Sequence, residues 1–141
     1  LGVKALIIER RSAEILLLEV NVASFTEQTE AYWDIPGGRV QRGDTVMRTL
    51  EREVGEETGI EELEEPRLFT TTVANIRIPY QNTDAGLILQ VYTVVVDERP
   101  AVQLSGEHTG YEWVSVETAA ARLQTKYPPT FLEQLKSSAL V

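Results

Sequence analysis

The segment Gly38–Ile60 limits the possible folds of this chain more than any other segment does. It predicts a helix that is bounded by glycines and is acidic along one face. It reads GRVQRGDTVMRTLEREVGEETGI. Glu53, Glu56 and Glu57 stand at i, i+3 and i+4, and residues with that spacing share one face of an α-helix. Like charges placed so repel by roughly 0.2–0.5 kcal/mol per pair. A hard cation would turn this repulsion into coordination, since Mg²⁺ takes oxygen ligands and is commonly shared between carboxylates and substrate phosphates.

The ends and the buried side of this helix are also predicted. Asp44 is a favourable N-cap residue and Gly59 suits the left-handed residue that ends many helices, so the helix is predicted over about Thr45 to Thr58. Apolar residues recur at helical spacing at Val46, Met47, Leu50 and Val54. They form a stripe centred roughly 80° from the carboxylate face. One side of the helix is therefore expected to pack on a sheet while the neighbouring edge opens to a cleft.

The rest of the chain predicts mostly strands. Strands are expected over 3–8, 15–20, 32–35, 69–78, 87–96 and 111–114, and further helices over 116–123 and 130–140. A polar loop is predicted over 21–31, a chain break at Pro36-Gly37-Gly38, and a turn over 81–86, because these stretches are rich in turn-forming or polar residues. Strands mixed with few helices favour a mixed sheet flanked by helices.

The spacing in Gly38–Ile60 closely resembles the signature of the Nudix (MutT-like) hydrolases. That signature is Gly, five residues, Glu, seven residues, Arg-Glu, an aliphatic residue, any residue, Glu-Glu, any residue, Gly and an aliphatic residue. Eight of its nine constrained positions match this chain. The exception is Asp44, which is one methylene shorter than Glu. We expect it to adjust activity without abolishing it, and activity recovered only in an Asp44→Glu variant would contradict this.

This resemblance implies a fold and a chemistry. The fold would be α/β (α+β), a Nudix-type α/β/α sandwich with a mixed β-sheet flanked by helices, in one domain over residues 1–141. The chemistry would be hydrolysis of a pyrophosphate linkage with Mg²⁺ or Mn²⁺ as cofactor. Further segments that resemble the family are Trp33–Gly38, Glu107-His108 and Glu112-Trp113-Val114.

The resemblance also implies site residues. The metal ligands would be Gly38, through its backbone, and Glu53, Glu56 and Glu57. The catalytic base would be Glu53 or Glu57 first, and Glu107 second. The planar guanidinium of Arg52 is suited to orienting a carboxylate. The alternative is a solvated acidic helix face with Arg52 in a surface ion pair, and the complete spacing favours the metal site.

Candidate substrate-binding residues lie outside the helix. Gly37 lets backbone approach a ligand closely, Arg77 would contact a phosphate, and Tyr80 would stack on a base. Trp33 and Tyr92 are further aromatic candidates, although aromatic residues on strands are mostly part of the core. His108 is the only histidine, and a hydrogen-bonded structural role is the simpler interpretation.

Composition limits the partners. The 13 Lys and Arg against 22 Asp and Glu give a net charge of −9, which disfavours nucleic-acid binding by charge. The chain has no cysteine, so disulfides and thiolate metal sites are excluded. No apolar run approaches the length of a transmembrane helix. We expect a cytoplasmic protein that binds a small nucleotide, with no membrane or nucleic-acid partner and with a homodimer as one option for assembly.

A nucleoside triphosphate, including a damaged one, is the expected substrate. The alternatives are a diadenosine polyphosphate, a nucleotide sugar or ADP-ribose, a Nudix-fold protein that senses nucleotides without cleaving them, and a purely structural acidic domain. ADP-ribose pyrophosphatases carry a diagnostic proline that would fall near Asn75 or Ile76, and neither residue is proline.

Overall fold

The computed structural model describes residues 1–21 and 31–140, and in these ranges the chain forms strands with three helices between and after them. The strands are β1 (Gly2–Glu9), β2 (Ile15–Val20), β3 (Trp33–Asp34), β4 (Gly37–Arg39), β5 (Arg67–Tyr80), β6 (Thr83–Val96) and β7 (His108–Val114). The helices are α1 (Val46–Thr58), α2 (Val116–Arg122) and α3 (Pro129–Ser137), and a 3₁₀ turn covers Leu123–Thr125. None of the helices in the described ranges has the length and apolar character needed to span a bilayer.

The strands belong to one mixed sheet. Within the described residues it has seven strands, five of them in the order β3-β2-β1-β6-β5, while β4 pairs with β1 and β7 with β2. β1 and β6 run parallel, and β5 and β6 form an antiparallel hairpin. β1 and β2 lie at the centre and are buried on both faces, which agrees with their almost continuous apolar sequences.

Helices cover both faces of this sheet. Successive side chains of a strand point to opposite faces, so β1 sends Ile7 to one apolar cluster and Leu6 to the other. The first cluster packs beneath α1 through Leu50 and Val54. The second packs beneath α2 and α3, where Phe131 and its neighbours are fully buried. This arrangement confirms the predicted sandwich of a mixed sheet between helices.

The helix α1 agrees with the prediction at its C-terminal end and differs at its N-terminal end. Gly59 has a φ of 81° and caps the helix as predicted. The prediction of Asp44 as N-cap is wrong, because Thr45 holds that position and accepts a hydrogen bond from the Arg48 N–H. The Asp44 carboxylate lies just outside the helix and accepts from the Thr45 N–H at 2.9 Å, which leaves its second oxygen free for other partners.

Two predicted breaks in the strands are wrong, and both have a local reason. The turn predicted over 81–86 consists of Gln81 and Asn82 alone, with φ of 47° and 66°. Two consecutive positive φ values are typical of a two-residue hairpin turn, which lets the strands extend further. The segment around Gly37 does not end the sheet but forms β4, antiparallel to β1. The loop predicted over 21–31 falls largely on residues 22–30, outside the described residues.

Candidate active site

The carboxylate face of α1 lies against β4. Oε2 of Glu57 accepts a hydrogen bond from the Gly37 N–H at 3.1 Å, and the residue is only 5% exposed. Leu50 and Val54, which are fully buried, hold the neighbouring side of the helix against the sheet. One side of α1 therefore packs on the sheet, as expected, while the neighbouring side carries Glu57 to β4.

The two glycines of β4 permit this close approach. A Cβ atom on Gly38 would lie 2.4 Å from Cδ of Glu53, which is closer than real Cβ contacts come. A Cβ atom on Gly37, whose φ is 152°, would lie 2.0 Å from the backbone oxygen of Val3. A side chain at Gly38 would displace the Glu53 carboxyl group, and one at Gly37 would collide with the backbone of β1. The glycine pair thus forms a backbone cradle beneath Glu53 and Glu57.

Arg52 lies between two carboxylates. Its Nη1 donates to Oδ2 of Asp44 at 3.1 Å, and its Nη2 lies 3.5 Å from Oε1 of Glu53. Oδ2 of Asp44 also accepts from the Thr49 hydroxyl at 3.2 Å. Asp44 therefore fixes the guanidinium from the N-terminal end of α1. Glu56, in contrast, is exposed on the outer side of the helix.

The site crowds negative charge. Burial raises the pKa of Glu57 to about 7, although Lys4 and the Gly37 N–H act in the opposite direction. Burial also raises the pKa of Glu53, and the charges of Glu56 and Glu107 add to this effect. For both carboxylates, burial and the neighbouring negative charges outweigh the attraction of the nearby cations.

This crowding predicts how stability depends on pH in the metal-free protein. Between about pH 4.5 and pH 7 the folded state holds a proton on Glu57 that the unfolded state has lost, so the contribution of Glu57 to stability is complete below pH 4.5 and is lost as pH rises through 7. The contribution is about 3 kcal/mol, from the shift of the pKa. We expect urea unfolding in EDTA to show this fall in the wild type and a flatter profile in Glu57→Gln.

The variant also serves as the reference for a second titrating group, His108. Burial lowers the pKa of His108, and this contribution makes stability rise with pH. Both proteins share it, so the difference between their profiles isolates Glu57. The same pH slope in the wild type and in Glu57→Gln would contradict a raised pKa for Glu57.

A buried charge network lies behind these carboxylates. Oδ2 of Asp34 accepts from the ammonium groups of Lys4 at 2.9 Å and of Lys126 at 2.8 Å. Oδ1 accepts from the Tyr127 hydroxyl and from the Ile35 N–H, both at 2.7 Å. Burial alone would raise the pKa of Asp34, but the two lysines hold it well below its usual range.

Sequence reasoning missed this network. Lys4 and Lys126 lie 30 and 92 residues from Asp34 in the chain, so no local spacing connects them. The one sequence signal was a lysine inside an otherwise apolar strand. Burial lowers the pKa of Lys126, whereas for Lys4 the attraction of Asp34 and Glu57 outweighs burial and raises the pKa.

A cavity of about 410 Å³ opens next to the network and the carboxylates. It is lined by Gly2, Lys4, Val20, Tyr32, Asp34, Gly37, Gly38, Arg39, Glu57, Ile76, Ile78, Leu87, Leu89, Glu107, His108 and Lys126. The strands β5 and β6 supply an apolar wall, and the network supplies a charged floor. A cavity of this volume, with mixed apolar and polar lining, is typical of small-molecule sites.

The structure brings only some of the predicted residues to this cavity. Gly37, Gly38, Glu57 and Glu107 line it. Glu53 lies against Gly38, while Arg52 and Glu56 are on α1 and are not among the lining residues. Arg77 and Tyr80 do not reach it. Side chains of β5 alternate between its faces, so Ile76 and Ile78 face the cavity while Arg77 points away and pairs with Asp84 at 3.1 Å. Tyr80 is 59% exposed at the end of the hairpin.

The other aromatic and histidine candidates also have defined places. Trp33 packs against the cluster beneath α2 and α3, with the Arg122 guanidinium 4.8 Å from its ring centre. Tyr92 packs against the cluster beneath α1. His108 was expected to be hydrogen-bonded, but its Nδ1 is buried and has no hydrogen-bond partner among the described residues. His108 lines the cavity.

The donor chemistry of the site fits a hard divalent cation. Glu53 and Glu57 offer carboxylate oxygens above a glycine backbone that no Cβ obstructs, and oxygen ligands are those that Mg²⁺ prefers. Across residues 1–21 and 31–140, no three or more His, Cys, Asp or Glu side chains are gathered into a complete metal-binding group. Substrate phosphates commonly supply part of the coordination of Mg²⁺.

Many solved protein structures are similar to this chain. A family model described as NUDIX domain matches residues 1–135. No curated protein sequence matches the chain. A MutT protein from Methanosarcina mazei Go1 is 28% identical, with 96% of this chain and 88% of that chain covered and a TM-score of 0.68.

Two other solved structures share the fold at lower identity. The dihydroneopterin triphosphate pyrophosphohydrolase of E. coli is 17% identical over 96% of this chain and 91% of its own, with a TM-score of 0.74. A C. elegans Ap4A hydrolase in a binary complex is 20% identical over 96% and 93%, with a TM-score of 0.65. At these identities the similarity concerns the fold alone.

Proposed function

The chain belongs to the Nudix family of pyrophosphohydrolases, and from this membership we propose that it uses Mg²⁺ or Mn²⁺ to hydrolyse the pyrophosphate linkage of a nucleoside triphosphate. The observation that carries the proposal is the position of Glu57. It stands at the rim of a nucleotide-sized cavity, anchored by a backbone N–H of the glycine cradle. The phosphates of a nucleotide in the cavity would then lie beside the carboxylate face of α1.

In this proposal the carboxylates of α1 and the Gly38 backbone hold the cation. Glu53 and Glu57 lie against β4, and Glu56, which is exposed on the same helix, would supply a third carboxylate. When bound, a divalent cation screens the phosphate charge and makes a bound water more acidic. Arg52, held by Asp44, keeps the Glu53 carboxylate in place.

The protein then has to orient a water molecule and accept its proton. The water oxygen attacks one phosphorus, the bridging P–O bond breaks, and the leaving phosphate departs with the electron pair. Glu57 is the first candidate for the base, because the Gly37 N–H fixes one of its oxygens and the other remains available. Glu107 is the second candidate, since it also lines the cavity and is close enough to influence Glu53. Positioning of this kind is the main contribution that proteins make to phosphoryl transfer.

Turnover of a nucleotide panel with and without Mg²⁺ tests this proposal. The panel contains dNTPs, oxidised dNTPs, ADP-ribose, nucleotide sugars and diadenosine polyphosphates, with phosphate release measured by a coupled assay. We expect triphosphates to be hydrolysed with Mg²⁺ and EDTA to stop the reaction. Faster turnover of another member of the panel would agree with the proposed pyrophosphate hydrolysis but would identify a different substrate.

A thermal shift measurement separates catalysis from sensing. A ligand at 100 times its dissociation constant stabilises a protein by about 2.7 kcal/mol. Stabilisation by a nucleotide with Mg²⁺ but no turnover would indicate a nucleotide-sensing protein. A NUDIX domain from Shewanella oneidensis that shares this fold has been crystallised as a complex with ADP-ribose, so nucleotide binding of this kind occurs in that protein. No stabilisation and no turnover would refute both functions.

A further inference from the structure

The floor of the cavity consists of the network of Lys4, Lys126 and Asp34, and it carries two positive charges and one negative charge. The side chains of Lys4 and Lys126 are 9% and 11% exposed, and both ammonium groups donate to the same oxygen of Asp34. Two cations therefore share one carboxylate at a site that is largely shielded from water. A buried charge without a full complement of hydrogen bonds is unfavourable, so a ligand with matching groups would stabilise this floor.

The hydrogen bonds of the network leave some of the lysine N–H donors without an acceptor in the described part of the chain. An ammonium has three N–H donors, and an ionised carboxylate has about four acceptor sites. Asp34 already accepts from four donors: Lys4, Lys126, Tyr127 and the Ile35 N–H. Lys4 also donates to the Ile35 carbonyl at 3.3 Å, whereas Lys126 has Asp34 as its only hydrogen-bond acceptor within the described residues. The lysine pair thus offers unused donors, while the acceptor sites of Asp34 are filled.

The position of Lys126 is fixed by the edge of the sheet. The Asn75 N–H donates to the Lys126 carbonyl at 2.6 Å, and the Asn75 side chain donates to the carbonyls of Gln124 and Tyr127 at 3.1 and 3.0 Å. These bonds tie the segment before α3 to β5, beside the residue that begins the apolar wall of the cavity. Lys126 therefore presents its ammonium from a rigid backbone.

The walls indicate which part of a nucleotide would meet this ammonium. Ile76, Ile78, Leu87 and Leu89 form an apolar surface that suits the faces of a planar ring. A phosphate placed against these side chains would lose its hydration without compensation. A base with its ring against this surface would have the Lys126 ammonium in the same cavity as a donor for its polar edge.

We propose that Lys126 is a specificity-determining residue that donates a hydrogen bond to an exocyclic oxygen of the substrate base. The protein would prefer bases with an oxo group to otherwise similar bases with an amino group. An amino group would bring N–H donors against the ammonium and leave both without an acceptor. This inference rests on the proposed function, because it assumes that a nucleotide occupies the cavity.

Matched triphosphates test the inference. The pairs dUTP and dCTP, and dITP and dATP, exchange an oxo for an amino group at position 4 of the pyrimidine or position 6 of the purine, and the adjacent ring nitrogen changes from an N–H donor to an acceptor. We expect kcat/KM to favour the oxo member of each pair by about 10- to 100-fold, the range for a buried hydrogen bond to a charged donor. In Lys126→Met the preference should fall to near unity. Because both members are measured on one preparation, a loss of folded protein cancels in the ratio.

A control variant and a binding measurement separate the possible outcomes. Lys136→Met, on the exposed part of α3, should keep the wild-type ratio. Equilibrium binding of dUMP and dCMP in EDTA reports base selectivity without turnover. Selective dUMP binding that Lys126→Met removes, in a protein that hydrolyses no triphosphate, would support the inference and refute the proposed function.

Other outcomes would overturn the inference. Turnover with no oxo preference, or with a preference that survives in Lys126→Met, would refute it and leave the proposed function intact. An equal loss of kcat/KM for both members of each pair, with the ratio unchanged, would mean that Lys126 holds phosphate or supports the fold. Absence of both turnover and selective binding would refute the inference together with the proposed function.

Discussion

Glu57→Gln is expected to lower kcat by about 10²- to 10⁴-fold, the range that a positioned acid–base group contributes to catalysis. The substitution removes the charge of a side chain that is anchored to β4 and faces the cavity. It keeps the shape, and the amide oxygen still accepts from the Gly37 N–H. The fold should therefore survive, and the measurement is steady-state hydrolysis of the best substrate at saturating Mg²⁺.

Glu51→Gln is the matched control for this variant. Glu51 lies on the same helix but is exposed and does not line the cavity, so its loss should leave kcat within a few-fold of the wild type. The thermal stability of Glu57→Gln without metal should equal or exceed that of the wild type, because burial disfavours the charged carboxylate. A Glu57→Gln protein that is fully folded and retains wild-type kcat would exclude Glu57 from the reaction.

Asp34→Asn is expected to destabilise the protein by about 3–5 kcal/mol, the usual loss when one partner of a buried ion pair is removed. Lys4 and Lys126 would remain buried beside a neutral amide, and their repulsion would no longer be compensated. The free energy of unfolding, measured with urea at neutral pH, reports the loss. A change below about 1 kcal/mol would mean that the network is accessible to water and contributes little.

Two further variants show whether charge is the cause. Asp97→Asn breaks the ion pair with Arg10, where Asp97 is 75% exposed, and it should change stability little. Replacement of the three charged residues by Lys4→Met, Asp34→Leu and Lys126→Met should recover part of the stability lost in Asp34→Asn, because apolar residues of similar volume often replace buried ion pairs without loss. The Tyr127 hydroxyl and the Ile35 N–H lose their acceptor in this variant, so the recovery is incomplete. If this triple variant were as unstable as Asp34→Asn, packing and not unpaired charge would explain the effect.

Strong local patterns in the sequence determined the fold class and the helix α1. The apolar stripe at Leu50 and Val54 predicted the buried side of α1, and Gly59 predicted its end, because helical periodicity and capping depend on neighbouring residues. The run Ile15–Val20 predicted β2 with its observed bounds. The helical spacing of Glu53 and Glu57 placed both side chains toward β4 for the same reason, whereas Glu56 is exposed.

Only the tertiary structure decided which side chains meet around the cavity. Ile76 and Arg77 are neighbours in the chain. Because side chains alternate along β5, Ile76 faces the cavity and Arg77 points away from it. The hydrogen bonds of Asp34 with Lys4 and Lys126 join β3 to β1 and to the segment before α3. Contacts between residues far apart in the chain depend on how the sheet orders its strands and how the helices cover it. Local periodicity carries no information on the order of the strands or on the placement of the helices. The charged floor of the cavity therefore could not be predicted from the sequence and was identified only from the tertiary structure.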